Sequence, residues 1–332
     1  MTMKKIINNP DQIVDEMLNG LVYAYDSIVE RIPETMVVHR KHEKNGKVGL
    51  VSGGGSGHEP AHAGFVGQGM LSSAVAGQVF TSPTPDQVLE GIKAADEGEG
   101  VLLVIKNYTG DVLNFDMAKD LAELEDIEVE SIVVDDDIAV EDSTFTAGKR
   151  GVAGTVLVHK ILGAAAEEGL SLKEIKALAD KVVPNIASIG LALNPATNPE
   201  VGKPGFKLEE DEIEFGIGIH GEPGYRREKL QPSKDLAKEL VTQLKKTCDW
   251  SSGDQYAVLV NGMGATPLME QFVFMNDVKH LLADDEGLDL AFRKVGDYMT
   301  AIDMAGISLT LLKIEDAKWL EYLNAPAKVI GW

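Results

Sequence analysis

Val51-Ser-Gly-Gly-Gly-Ser-Gly-His-Glu-Pro-Ala-His62 is the stretch from which the rest of the chain is read. It follows Val48-Gly-Leu-Val51, a short apolar run that predicts a buried strand. Four glycines and two serines then fill Ser52 to Gly57, and His58 stands at the end. Glycine tolerates φ > 0 and lets a ligand come close to the backbone. A glycine-rich loop after a strand offers backbone N–H groups to something anionic or oxygen-rich. A plain turn would need fewer glycines and would leave His58 unexplained.

Three familiar patterns nearly fit. A P-loop needs a lysine after its last glycine, and none follows here. A nucleophile elbow built on Ser56 needs glycine where His58 stands. His58-Glu-Pro-Ala-His62 spells H-E-x-x-H, a zinc-protease signature that works only inside a helix. Pro60 suits a first helical position, which leaves His58 in the loop and not one turn below His62. Zinc hydrolysis is therefore the least favoured reading.

The chain has 332 residues, enough for two domains with proper cores. Its 44% hydrophobic and 25% charged residues are ordinary for a soluble globular protein. A net charge of −22 argues against nucleic acid and anionic membrane surfaces as partners. The single cysteine, Cys248, excludes an internal disulfide and fits a reducing cytoplasm. Met1-Thr-Met-Lys-Lys does not lead into a signal-peptide apolar region, and no apolar run approaches a membrane span.

Working outward, Asn9-Pro10 starts a helix that continues through Leu21. His39 and His42 lie among charged residues and read as solvated. Thr81-Ser-Pro-Thr-Pro85 is a rigid loop ahead of a helix, in which Ser82 either bonds a ligand or caps. Val101-Leu-Leu-Val-Ile-Lys106 is a second buried strand, followed at once by Asn107-Tyr-Thr-Gly-Asp111. Ligands of open α/β sheets gather at the carboxyl ends of strands, so His58 and Asp111 are candidates for one crevice. A plain helix N-cap is the alternative for Asp111. Glu130–Val134 is a strand; Asp135-Asp-Asp137 after it reads as solvated rather than as a Mg²⁺ site. Thr146–Gly151 is a basic turn, open to an anion or an acidic partner, ahead of a helix through Ala166. His159 in that helix reads as a satisfied or exposed helical residue.

The pattern restarts near Pro184. The expected division is a first α/β domain over 1–184, with the Gly-rich loop, and a second over 185–332. Glu212-Ile-Glu-Phe-Gly-Ile-Gly-Ile219 alternates like a strand and delivers His220-Gly-Glu-Pro-Gly224. Residues 216–221 spell G-x-G-x-x-G, but Pro223 and Gly224 stand where a dinucleotide fold opens a helix. What remains is a second histidine on a Gly-rich strand end. The β/α alternation continues through Ala317–Tyr322, giving two α/β domains, each a mixed sheet flanked by helices.

Taken together, Ser52–Pro60, Phe80–Pro85, Ile105–Asp111, Phe215–Gly224 and Gly264-Ala-Thr-Pro267 resemble the dihydroxyacetone kinase family, specifically its substrate-binding K subunit. These stretches span nearly the whole chain in family order. The resemblance implies that His220 holds dihydroxyacetone as a covalent hemiaminal, a task for neutral imidazole. It implies that Asp111 or His58 takes the proton from the attacking hydroxyl, and leaves open which. It implies substrate contacts from Gly55, Ser56, Gly57, His58, Lys106 and Asp111.

The family's ATP-dependent members carry a further helical nucleotide domain, for which this chain has no room before Trp332. The resemblance therefore implies the phosphoenolpyruvate-dependent type. There a separate L-type subunit binds ADP or ATP with Mg²⁺, and a phosphocarrier protein of the phosphotransferase system recharges it. No cofactor or metal is expected in this chain, and a cytoplasmic homodimer is. A non-catalytic paralogue that senses dihydroxyacetone and coactivates a transcription regulator is the alternative. The complete Asn107–Asp111 segment favours the enzyme.

Overall fold

The computed structural model describes residues 4–41, 46–140 and 146–332. His42 lies outside the described residues. Two six-stranded mixed sheets form the frame. The first holds β1 (Val29–Arg31), β2 (Val37–Arg40), β3 (Gly49–Ser56), β4 (Ser73–Val79), β5 (Val101–Lys106) and β6 (Val129–Val134), in the order β1-β2-β4-β3-β5-β6. Strands β4, β3, β5 and β6 run parallel, and β1 and β2 form an antiparallel edge. Every residue of β5 is buried, as its unbroken apolar run requires of a strand covered on both faces.

The second sheet begins with β7 (Ile186–Asn194). A two-stranded ribbon follows, β8 (Thr197–Asn198) with β9 (Lys203–Pro204). Then come β10 (Glu212–Phe215), β11 (Arg226–Lys229), β12 (Gln255–Gly262), β13 (Asp289–Gly296) and β14 (Ala305–Lys313). The order is β11-β10-β7-β14-β12-β13, and only β12 and β13 pair in parallel.

Helices cover both sheets. They are α1 (Ile13–Ala24), α2 (Pro85–Ala95), α3 (Thr109–Glu123), α4 (Gly154–Glu168), α5 (Leu172–Val182), α6 (Ser233–Thr247), α7 (Leu268–Lys279) and α8 (Ala317–Asn324). Helices α2 and α3 pack Val88, Ile92 and Phe115 on one face of the first sheet. Helices α6 and α7 pack Leu240, Leu244 and Phe274 on one face of the second. The central cluster joins the remaining faces, Leu50, Leu102 and Val104 with Leu259, Met263 and Leu312.

Helix α4 is the shared element. It is buried from Gly154 to Ala166 and touches β3, β5, β7, β14, α5 and α8. A helix with no exposed face along this length is surrounded by protein, and its buried His159 and Lys160 find internal partners in His62 and the Tyr322 carbonyl. The chain end closes the same region, where Lys328 and Ile330 donate N–H groups to the carbonyls of Gln68 and Gly64.

Several expectations need correction. Gly53, Gly54, Gly55 and Ser56 are not loop but the second half of β3, and the turn begins at Gly57. Pro60 stands in a turn, and no helix runs from it; the only helical turn nearby is Ala63–Phe65. Strand β10 ends at Phe215, before the glycines that lead to His220.

Asp136 and Asp137 are not solvated. Asp136 accepts N–H bonds from Val152 and Gly154 and the Ser188 hydroxyl, and Asp137 pairs with Arg150. Arg150 is fully buried, so this end of the basic turn meets an internal carboxylate. His159 is buried in α4 and satisfied on one side, its Nε2 lying 2.9 Å from His62 Nδ1.

Gly163 tests the central packing. A Cβ there would lie 2.4 Å from Met70 Cα and 2.6 Å from the Gly69 carbonyl. In an exposed helix Gly→Ala gains about 1 kcal/mol. Here the clash reverses the sign, and Gly163→Ala is expected to cost about 1–3 kcal/mol. A lowered urea midpoint is the check; an unchanged or raised one would mean that α4 stands clear of this loop.

Candidate active site

Strand β5 ends in Lys106, and α3 opens three residues later. Its N-cap is Tyr108, so Asp111 is the third helical residue and not the cap. Asp111 is 4% exposed and its carboxylate lies 3.4 Å from Lys106 Nζ, itself wholly buried. Gly54 makes the room for this pair. Its φ is +146°, and a Cβ would sit 2.4 Å from Lys106 Nζ and 3.3 Å from Asp111 Oδ2. The glycine that looked like a loop device is thus a close-approach device within a strand.

The turn after β3 places His58 against the second sheet. Its Nδ1 lies 2.8 Å from the Thr300 carbonyl, and its Nε2 lies 3.1 Å from His220 Nε2. Phe80 stacks on His58 at 5.2 Å and meets His220 edge-on. Tyr108 covers the other side of His220, with ring centroids 4.5 Å apart. His220 Nδ1 lies 2.9 Å from Glu222 Oε1.

These contacts fix the protons. A carbonyl can only accept, so His58 carries its hydrogen on Nδ1. A carboxylate can only accept, so His220 does too. In the neutral rings both Nε2 atoms are then lone-pair acceptors, facing one another across 3.1 Å. One added proton turns that contact into a hydrogen bond. Burial pushes the His58 imidazolium well below its usual range, and the neighbouring His220 and Lys106 add to this. Glu222 goes the other way: burial would raise it, but His220 and Arg150 outweigh burial and hold it at about 2.

A cleft of about 440 Å³ opens here, lined by Gly55, Phe80, Ser82, Tyr108, Thr109, Gly110, Asp111 and His220. Ser82 Oγ and Tyr108 Oη are both buried without a hydrogen-bond partner. Thr84, not Ser82, precedes α2 as its N-cap, so the capping alternative for Ser82 falls. The structure thus gathers His58, His220, Asp111, Lys106, Gly55 and Ser82.

Ser56 and Gly57 stand apart. The Ser56 hydroxyl donates to the Gly77 carbonyl, and the Gly57 N–H donates to the Glu59 carboxylate. His62 also leads elsewhere, to Ser52 and His159. The two histidines of the H-E-x-x-H string therefore serve different neighbours. Among the described residues no group of three or more His, Cys, Asp or Glu is placed to hold a metal ion. Sequence reading did not single out Tyr108, Phe80, Glu222 or Thr300 as site residues. The first three lay inside the quoted stretches, so an aromatic beside a candidate base and a carboxylate two residues past a candidate nucleophile were the available signals.

The site is an α/β cleft with two facing imidazoles and a buried Lys–Asp pair. The Dak1 domain model matches residues 19–331, and the chain belongs to the dihydroxyacetone kinase K-subunit family. It is 64% identical, over all of both chains, to the dihydroxyacetone-binding subunit DhaK of the PTS-dependent dihydroxyacetone kinase of Lactococcus lactis. It is also 46% identical, over 99% of its length and all of the relative's, to the DhaKLM operon coactivator DhaQ of that organism. Among solved structures, the dihydroxyacetone kinase from C. freundii in complex with AMP-PNP and Mg²⁺ superposes with a TM-score of 0.91 at 33% identity. That match covers 99% of this chain and 61% of the kinase.

Burial makes a sharp titration prediction. His58, His62 and His159 are all held neutral below the usual histidine range by burial, His159 down to about 3. Ring-carbon NMR from pH 8 to pH 5 should find all three in the neutral form throughout. A midpoint near the ordinary ~6.5 for any of them would mean that water reaches that ring.

Proposed function

We propose that this chain is the dihydroxyacetone-binding subunit of a phosphoenolpyruvate-dependent dihydroxyacetone kinase. The observation that carries the reading is the pair of facing imidazoles, each with its hydrogen held on the far nitrogen. In this reading the His220 Nε2 lone pair attacks the substrate's carbonyl carbon. The C=O π pair moves to oxygen, which takes a proton, and a hemiaminal results. His58 Nε2 remains as an acceptor for a substrate hydroxyl.

Asp111 projects into the same cleft, beside Lys106, and is the second candidate for that proton. A base lowers the barrier by ionising the terminal hydroxyl as it attacks phosphorus. Ser82 and Tyr108 bring unpartnered hydroxyls to the cleft, suited to the substrate's remaining oxygens. The Gly55 backbone forms part of the wall. For Ser56 and Gly57 any substrate contact must come from groups not already engaged.

Phosphoryl transfer needs positive charge or metal on the moving group. The partner L-type subunit supplies it with ATP/ADP and Mg²⁺, recharged by the phosphocarrier subunit, and this chain acts as a homodimer in the cytoplasm. No described helix is long and apolar enough to cross a membrane. The second reading is the sensor, favoured by the full-length likeness to a coactivator. The complete run from Lys106 to Asp111, with Asp111 in the cleft wall and Lys106 buried behind it, favours the enzyme.

A single-turnover experiment separates these readings. Purified chain is mixed with dihydroxyacetone and an ATP-loaded partner subunit of proven activity, and dihydroxyacetone phosphate is followed. Product that depends on the partner supports the kinase subunit. An adduct without product supports the sensor.

Two variants test the residue roles. His220→Ala should abolish the tetrahedral carbon signal that [2-¹³C]dihydroxyacetone gives on the wild type; its persistence would place the bond elsewhere. Asp111→Asn should keep that signal and lose turnover by about a hundredfold or more. Near-normal turnover would leave His58 as the base.

A further inference from the structure

We infer that Glu222 is the positioning residue of this site: it sets the tautomer and the angle of the His220 ring, with the Arg150 guanidinium nearby as a compensating charge. The inference rests on the reading of His220 as the nucleophile. Both carboxylate oxygens are spent on one neighbour. Oε1 meets His220 Nδ1 at 2.9 Å, and Oε2 accepts the backbone N–H of His220 at 2.9 Å. The side chain is thereby clamped to its own main chain, with Nε2 left toward the cleft and His58.

The surroundings are built for this carboxylate. Glu222 is 3% exposed, and an uncompensated carboxylate at such depth is strongly unfavourable. Arg150, wholly buried, is the compensating charge. Its Nε and Nη2 bond Asp137, and Nη2 also donates to the Gly216 carbonyl, while Nη1 has no hydrogen-bond partner. Gly218 leaves the space between them. A Cβ there would fall 2.0 Å from Glu222 Oε2 and 2.7 Å from Arg150 Nη1. The turn could be built without an acid; a carboxylate, an arginine and an empty position meeting behind one imidazole serve that imidazole.

The chemistry needs this arrangement. With the proton on Nδ1, Nε2 keeps its lone pair. As that pair forms the C–N bond, the carbonyl π pair moves to oxygen, and the oxygen takes a proton from solvent. The ring is left as an imidazolium, with its charge against Glu222. The carboxylate, which titrates at about 2, stays ionised and stabilises that charge without taking the proton. Buried carboxylates play the same part for the histidine of serine proteases.

The test uses the full chain labelled with ¹⁵N-histidine, first without ligand. His220 should carry its hydrogen on Nδ1; a hydrogen on Nε2 overturns the inference and needs no variant to do so. In Glu222→Gln the amide can donate to Nδ1, so the Nε2–H tautomer should rise. The rate at which [2-¹³C]dihydroxyacetone becomes the adduct should fall by about a hundredfold or more, by analogy with the tautomer defect in serine proteases. Gly218→Ala keeps the acid but displaces it, and should show the same tautomer change and the same slowing. Glu222→Asp keeps an acceptor and should recover part of the rate.

A Glu222→Gln protein with the wild-type tautomer and an adduct rate within twofold overturns the inference. If that variant does not fold, Gly218→Ala decides by the same two readouts. If the wild type forms no adduct at all, the nucleophile reading fails, while the ligand-free tautomer still tests the role of Glu222.

Discussion

The contact the rest of the molecule serves is 3.1 Å long, between His58 Nε2 and His220 Nε2. It joins a turn after the first sheet to a turn after a strand of the second, and neither residue lies in a regular element. The two sheets must therefore be locked together well enough to hold two rings in register. One lock is the segment between β13 and β14. Its Thr300 and Ile302 N–H groups bond the carbonyls of His58 and Gly57, and the Thr300 carbonyl takes the His58 ring hydrogen. A second lock follows β6, where Asp136 takes the backbone N–H and the hydroxyl of Ser188 on β7. Arg150 reaches from there to the Gly216 carbonyl, four residues before His220. Between the locks lies α4, whose burial on all sides makes the sheets share one core. A shift of either sheet would break polar bonds in dry surroundings, where they are hardest to replace.

Much of this was legible in the sequence, for definite reasons. Long apolar runs bounded by turn residues, such as Val101–Lys106 and Ala187–Leu193, became buried strands β5 and β7 with small changes at the ends. Asn9 caps the first helical turn through its side chain, as its place before Pro10 suggested. The break after Gly221 excluded a dinucleotide fold, and no helix begins there until Ser233. His58, Lys106 and Asp111 meet because strand ends gather at one edge of the first sheet, and the second sheet, packed against it, brings His220 to them.

What was not legible depends on partners far away in the chain. Glycine is a poor strand former, so Gly53–Gly55 read as loop. Pairing with β4 and the nearness of Lys106 make them strand. Asp136 and Asp137 read as solvated, like the exposed Asp135 before them, because their partners, Val152, Gly154, Ser188 and Arg150, are 13 to 52 positions away. Strand β13 has two charges in its middle, Arg293 and Lys294, and takes its place by pairing with β12. Ser56 sits in the most ligand-like stretch of the sequence, yet its hydroxyl faces Gly77, because successive residues of a strand point to opposite faces.

The charges behind the site form a graded series. Asp137 holds Arg150, Arg150 faces Glu222, and Glu222 holds His220, which meets His58. The series runs from a buried ion pair through a buried carboxylate to the two facing rings at the cleft. In the proposed reading, such a site discriminates by chemistry rather than size. A ketone offers a carbon that can bond Nε2; a polyol of nearly the same shape offers only hydroxyls. Shape differences of a single small group are worth about 1–3 kcal/mol in a pocket, whereas a covalent bond is available to one of the two compounds and not to the other.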